Sequence, residues 1–148
     1  EIGHTSIDLN GPLCKCGNRG CLEIYSSSLA LLRNLEMNWQ EISSRSISFE
    51  EVVVAYHEQQ PVVVKEVEIV AKYLAQGLIN CINLINPDLI VIGDEYARFG
   101  ERFLNIIKSH LQTSTLPSVF KNINFQLAPQ TDLVINGSFH HVIQSELL

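Results

Sequence analysis

Three of the chain's four cysteines, Cys14, Cys16 and Cys21, fall within eight consecutive residues, and His4 lies ten residues before the first of them. Gly11, Pro12, Gly17 and Gly20 fill the spaces between, so the stretch from Glu1 to Glu23 carries too few apolar side chains to fold by packing alone. A tetrahedral Zn²⁺ on three thiolates and one imidazole would fix such a run. A disulfide from Cys14 or Cys16 to Cys21 is geometrically open to the chain but strands the third thiol. Three free thiols in one loop would be an oxidation liability. The spacing favours the metal. Cys81 stands apart in an apolar helical run and reads as a buried, inert thiol.

At 148 residues the chain is long enough for one domain with a hydrophobic core, and 46% apolar against 18% charged residues is a globular composition. A net charge of −6 argues against this piece gripping a phosphate backbone. The sequence shows neither a secretory signal pattern nor an apolar run long enough for a bilayer. Clustered cysteines at metal spacing suit a reducing cytoplasm. The chain opens inside its own motif without an initiator methionine, and the expectation is a fragment of a longer protein.

The spacing predicts a helix from Leu22 to about Glu36, with Leu29, Leu32 and Leu35 inward and Ser26 to Ser28 offering capping hydroxyls. A polar, irregular segment follows from Met37 to Ser46, with Trp39 as a packed anchor. Ser48 and Glu51 form a capping box for a helix to about Gln59. Pro61 then opens a long helix with Val63, Val67, Val70, Leu74, Leu78, Cys81 and Ile85 along one side. That helix should end near Asn86, ahead of Pro87. Gly77 within it marks close contact with a neighbour. Asp88 to Gly93 reads as a buried strand, Gly100 to about Thr113 as a helix, and Asn122 to Leu127 as a second strand. Thr131 or Asp132 would cap a last helix to about Glu146. His57, His110, His140 and His141 read as ordinary surface or satisfied residues.

The run Cys14-Lys15-Cys16-Gly17-Asn18-Arg19-Gly20-Cys21-Leu22-Glu23 resembles the signature of the ROK family of bacterial sugar repressors and sugar kinases. Glu1-Ile2-Gly3-His4-Thr5 resembles the family segment just upstream, and Asp8, Gly11 and Pro12 fit the link between them. The resemblance continues more weakly to the end of the chain. It implies that His4, Cys14, Cys16 and Cys21 hold a structural zinc and that Glu1, His4 and Glu23 meet a sugar or sugar phosphate. It implies an α/β fold, the C-terminal half of an actin-like, ribonuclease-H-like domain, truncated and entered by a zinc loop. Residues 1–148 would form a single domain, with 1–23 as the zinc and sugar loop and 24–148 as the helical and α/β part. The N-terminal half, and any helix-turn-helix domain, would lie upstream. Two strands make a poor sheet and an open edge invites pairing, so a homodimer is expected.

The family contains both kinases and regulators. A kinase needs a phosphate loop, a base and Mg²⁺. No Asp-X-Gly-X-Thr phosphate motif occurs here and no aspartate has the setting of the catalytic one, so no catalytic residue is assigned and this chain alone should phosphorylate nothing. Where the kinases usually carry a glycine pair, Gly93 is followed by Asp94 and Glu95, and a carboxylate beside an ATP phosphate is repulsive. Asn136-Gly137-Ser138 departs slightly from the kinases' small-residue pattern. Both departures favour a regulator similar to the xylose and N-acetylglucosamine repressors, reaching DNA only through an upstream domain. The C-terminal half of an ATP-dependent sugar kinase is the alternative, and a zinc-stabilised interaction module without a sugar is a third reading.

Overall fold

The computed structural model of the chain describes residues 1–39 and 46–128. The expected last helix, with Thr131 or Asp132, the Asn136-Gly137-Ser138 pattern, and His140 and His141 lie outside the described residues. A single 3₁₀ turn, Ile2–His4, opens the chain. Helices α1 (Leu22–Ser26), α2 (Ser28–Asn38), α3 (Phe49–His57) and α4 (Pro61–Ile85) follow the loop. Strand β1 (Leu89–Ile92) leads into the one-turn α5 (Asp94–Ala97), then α6 (Gly100–Ser114), the short α7 (Pro117–Phe120) and strand β2 (Asn124–Leu127). The two strands pair in parallel, Leu89 opposite Asn124 and Ile92 opposite Leu127, with α6 in the crossover.

Helix α4 is the spine. Pro61 occupies its first turn, where a missing N–H costs nothing, and α1, α2, α3 and α6 all pack against it. Its end is set by Asn86, which takes the left-handed conformation (φ 46°) before Pro87. Helix α3 starts at the expected capping box: the Glu51 backbone N–H donates to Ser48 Oγ at 3.3 Å, and the Ser48 N–H donates to Glu51 Oε2 at 2.9 Å. An aromatic cluster of Phe49, Tyr56, Tyr96, Phe99 and Phe103 joins α3 to α5 and α6. Phe103, Leu104, Ile107 and Leu111 of α6 are fully buried as expected, each contributing about 1.5–3 kcal/mol. Trp39 packs against the core edge.

Four expectations are corrected. The helix expected from Leu22 is two helices, because Ser27 is extended (φ −78°, ψ 158°) and its hydroxyl accepts from the Ala30 N–H at 3.2 Å. The new start resets the register: α2 runs on to Asn38, Leu31 and Leu35 point inward, and Leu29 is exposed. Along α4 the buried face begins at Val63, Val67 and Val70 but continues through Ala71, Ala75, Ile79 and Ile82. Cys81 stands about five full turns above Val63 on the same line, yet it is half-buried and Ile85 is exposed, because the buried face moves round the helix toward Ala75 and Ile79. Strand β1 buries one face only, Ile90 and Ile92, while Leu89 and Val91 are 47% and 49% exposed.

Gly77 meets its expected neighbour. A Cβ there would sit 2.3 Å from Leu22 Cδ2, and Leu22 is itself fully buried. Gly77→Ala is therefore expected to destabilise by about 1 kcal/mol, overpacking outweighing the helix-propensity gain of alanine. Urea denaturation checks this, and a stabilised variant would show that Leu22 moves aside freely.

Candidate metal centre

The loop before α1 is built from backbone hydrogen bonds rather than apolar contact. Ile7 N–H donates to Gly20 O at 2.8 Å and Leu22 N–H to Thr5 O at 2.9 Å, tying residues 5–7 to the end of the loop. Within it, Cys14 N–H donates to Asn18 O (2.7 Å) and Gly17 N–H to Cys14 O (2.9 Å), closing a tight hairpin that carries Cys14 and Cys16. Gly17 turns it at φ 89°. Asp8 secures the base: Oδ1 accepts from Asn10 N–H and Oδ2 from the Tyr25 hydroxyl at 3.1 Å. Tyr25 stacks on Tyr73 of α4, ring centroids 4.7 Å apart. From the other side, the Tyr96 hydroxyl donates to Ser26 O at 2.7 Å and braces the end of α1.

This scaffold brings together His4, Cys14, Cys16 and Cys21, one donor atom from each, all within 4.8 Å of one another. Cys16 and Cys21 sulfurs stand 3.6 Å apart, far beyond the disulfide bond length of about 2.05 Å. His4 Nδ1 lies 3.7 Å from Cys14 Sγ. Thiolates at a zinc–sulfur distance of about 2.3 Å stand about 3.8 Å apart at the corners of a tetrahedron. The donor set thus fits a four-coordinate thiophilic cation in both chemistry and spacing. Cys14 and Cys21 are buried and Cys16 is exposed. Burial, reinforced by Cys16, pushes the Cys21 thiol up to about 12, while a hydrogen bond from the Asn18 backbone holds Cys16 below its ordinary value.

A thiol that titrates near 12 is protonated at neutral pH in the metal-free chain, so loading must expel its proton. Zn²⁺ addition to the metal-free chain at pH 7 in weak buffer is therefore expected to release at least one proton per ion. Apparent affinity should rise with pH, because metal and proton compete for the same sulfurs. Indicator-dye measurement of the released acid checks the count.

The three residues expected to face a sugar cluster around the same imidazole. Glu23, in the first turn of α1, places Oε2 3.4 Å from His4 Nδ1 and Oε1 2.8 Å from Lys15 Nζ. Lys15, then His4, holds the Glu23 carboxyl below the usual carboxylate range. Glu1 Oε2 lies 3.9 Å from His4 Nε2. Nδ1 thus faces both Cys14 Sγ and Glu23, and Nε2 faces Glu1. Alongside lies an open groove of about 630 Å³ lined by Leu13, Lys15, Glu23, Ile24, Leu29 and Arg33, among others. Sequence reasoning did not single out Lys15, Tyr25 or Tyr73; a single lysine inside a metal loop and two tyrosines far apart in the chain leave no spacing signal.

A loop of one histidine and three cysteines grafted on the strand–helix–strand half of an actin-like fold defines a known class. Residues 1–132 match the ROK family, and the chain belongs to it. It is 30% identical to the xylose repressor of Bacillus spizizenii over 88% of this chain and 32% of that protein. It is also 30% identical to the glucokinase of Halalkalibacterium halodurans over 86% of this chain and 42% of that enzyme. Among solved structures, a ROK family transcriptional regulator described as a homolog of the E. coli MLC protein superposes with a TM-score of 0.78 at 28% identity, over 86% of this chain and 34% of that one. The chain therefore spans about a third to two fifths of the length of the relatives it matches. No helix among the described residues is long and apolar enough to cross a membrane.

Proposed function

We propose that this chain is the sugar-sensing and dimer-forming C-terminal part of a cytoplasmic transcriptional regulator of carbohydrate metabolism. His4, Cys14, Cys16 and Cys21 would hold a structural Zn²⁺; Glu1, His4 and Glu23 would hydrogen-bond the sugar or sugar phosphate. The carrying observation is that the His4 imidazole meets Cys14 Sγ and Glu23 at Nδ1 and Glu1 at Nε2, so one ring touches both the sulfur set and two carboxylates. A metal on Nδ1 would fix the tautomer and leave Nε2–H as a polarised donor toward the side of Glu1. Carboxylates on both flanks accept hydroxyl protons in defined planes, the pattern a sugar presents. DNA would be met only by a domain in the part of the relatives' length that this chain does not span. Sugar binding would act by favouring one arrangement of the dimer over another, which requires different affinities for the two.

The turn after β1 supports the regulator over the kinase. Asp94 takes the left-handed conformation (φ 51°) that a glycine would adopt without strain, and its side chain is exposed. A carboxylate there would repel a nucleotide phosphate by about 1 kcal/mol or more at short range. The glucokinase relative keeps a second reading open, the C-terminal half of an ATP-dependent sugar kinase, which ATP binding by the full-length protein would favour.

Calorimetric titration with D-xylose, D-glucose and N-acetylglucosamine tests the site. One of them is expected to bind, and Glu23→Gln to weaken it about tenfold or more by removing a charge-assisted acceptor. Wild-type affinity in that variant would remove Glu23 from the site. Light scattering at tens of micromolar protein tests the dimer.

A further inference from the structure

We propose that Lys15 is a positioning residue for Glu23: its ammonium pins Oε1, so that Oε2 is the oxygen left to meet a sugar hydroxyl. The proposal rests on the sugar-binding reading of Glu23 and adds to it the residue that orients the carboxylate.

Three polar side-chain groups of the described residues come near that carboxylate. Lys15 Nζ lies 2.8 Å from Oε1, while His4 Nδ1 and Cys14 Sγ lie 3.4 Å and 4.0 Å from Oε2. The last two belong to the metal donor set. An imidazole nitrogen whose lone pair goes to a cation has no proton to give Oε2, and a thiolate has none either. With a metal on that donor set, neither group would donate to Oε2, and Lys15 would be the side chain that holds Glu23. A carboxylate on a freely turning glutamate would pay the ordering cost when the ligand arrives; one already pinned at a single oxygen pays less.

Lys15 is well placed for this. It sits between two candidate ligands, Cys14 and Cys16, on the hairpin closed by the Cys14–Asn18 and Gly17–Cys14 hydrogen bonds, which fix the local backbone that carries it. Its side chain is 75% exposed, which keeps the pair modest in strength and makes it a device of orientation rather than of stability. Lys15 and Glu23 also line the same groove.

The experiment is calorimetry on wild type, Lys15→Met, Lys15→Arg, Glu23→Gln and the Lys15→Met/Glu23→Gln double variant, with D-xylose, D-glucose and N-acetylglucosamine as probes. The zinc content of each sample is measured alongside. Lys15→Met is expected to weaken binding about fivefold, the upper range for an exposed pair, and Lys15→Arg to stay within about twofold of wild type. Zinc content should be unchanged, and Lys15→Met should cost nothing further once Glu23 is glutamine. Wild-type affinity in Lys15→Met overturns the proposal, while a weakened Glu23→Gln in the same series leaves the sugar reading standing. A loss that persists in the Glu23→Gln background also overturns it, because the ammonium then touches the sugar itself. Zinc loss from Lys15→Met overturns it in favour of a purely structural lysine. Failure of wild type to take up any of the three sugars removes the sugar reading, and this proposal with it.

Discussion

Cys16→Ala is expected to lose metal and sugar together. Cys16 is the exposed member of the sulfur set, so removing its thiol opens no cavity in the core, and the consequences can be assigned to the lost ligand. Structural zinc supplies about 10–16 kcal/mol of binding free energy in small metal-dependent peptides, and a loop with so few apolar contacts has little to replace it. Zinc content should fall to near zero at micromolar free metal, with a stability loss of about 3 kcal/mol or more. His4 and Glu23 would then lose their fixed separation. Emission spectrometry for the metal, thermal unfolding for the fold and calorimetry for the sugar give three separate readouts. A zinc-free variant that still bound its sugar with native affinity would detach the metal from recognition.

Gly20→Ala adds a single methyl group and is expected to be strongly destabilising as well. Gly20 has φ 61°, and a Cβ built there lies 1.8 Å from the Asp8 carbonyl oxygen, a backbone atom that cannot swing away. The left-handed conformation alone costs a non-glycine residue about 1–2 kcal/mol. The collision must also push residue 8 off the loop, breaking the Ile7–Gly20 hydrogen bond that closes it. A total above about 4 kcal/mol is expected, among the largest effects a single methyl group can have. Gly17→Ala is the internal control: its φ is 89°, but nothing lies within 4 Å of the added carbon, so only the backbone cost of about 1–2 kcal/mol applies. Denaturant unfolding of the two variants with metal present should separate them by at least twofold in free energy. Equal losses would mean that Asp8 yields.

What the sequence disclosed was local chemistry. His4 and the three cysteines are legible because ligand types at short spacing admit few geometries, and the four donors do converge. The Ser48–Glu51 box and Pro61 were readable for the same reason: each acts within one turn of its own helix. What escaped was decided by neighbours. The break at Ser27 pits one serine hydroxyl against one helical hydrogen bond, and Tyr96, 70 positions on, donates to the adjacent Ser26 carbonyl. Cys81 fell on the expected stripe but not on the buried face, because α4 must serve several partners whose positions periodicity does not encode. Leu89 and Val91 read as core from their side chains alone; only the fold shows that one face of β1 is buried and the other is not. The role of Lys15 depends on how a hairpin meets a helix, which no spacing rule captures.

Leu22 sits between a sulfur donor and a carboxylate, Cys21 on one side and Glu23 on the other, and its methyl groups are seated in the notch that Gly77 leaves in α4. Together with the Tyr25–Tyr73 stack, this side chain seats the candidate site on the longest described helix, one residue away from both Cys21 and Glu23. Close-packed interiors transmit displacement, so a sideways shift of α4 is felt first at Leu22. A sugar held by Glu23 would therefore bear on the seating of that helix as well.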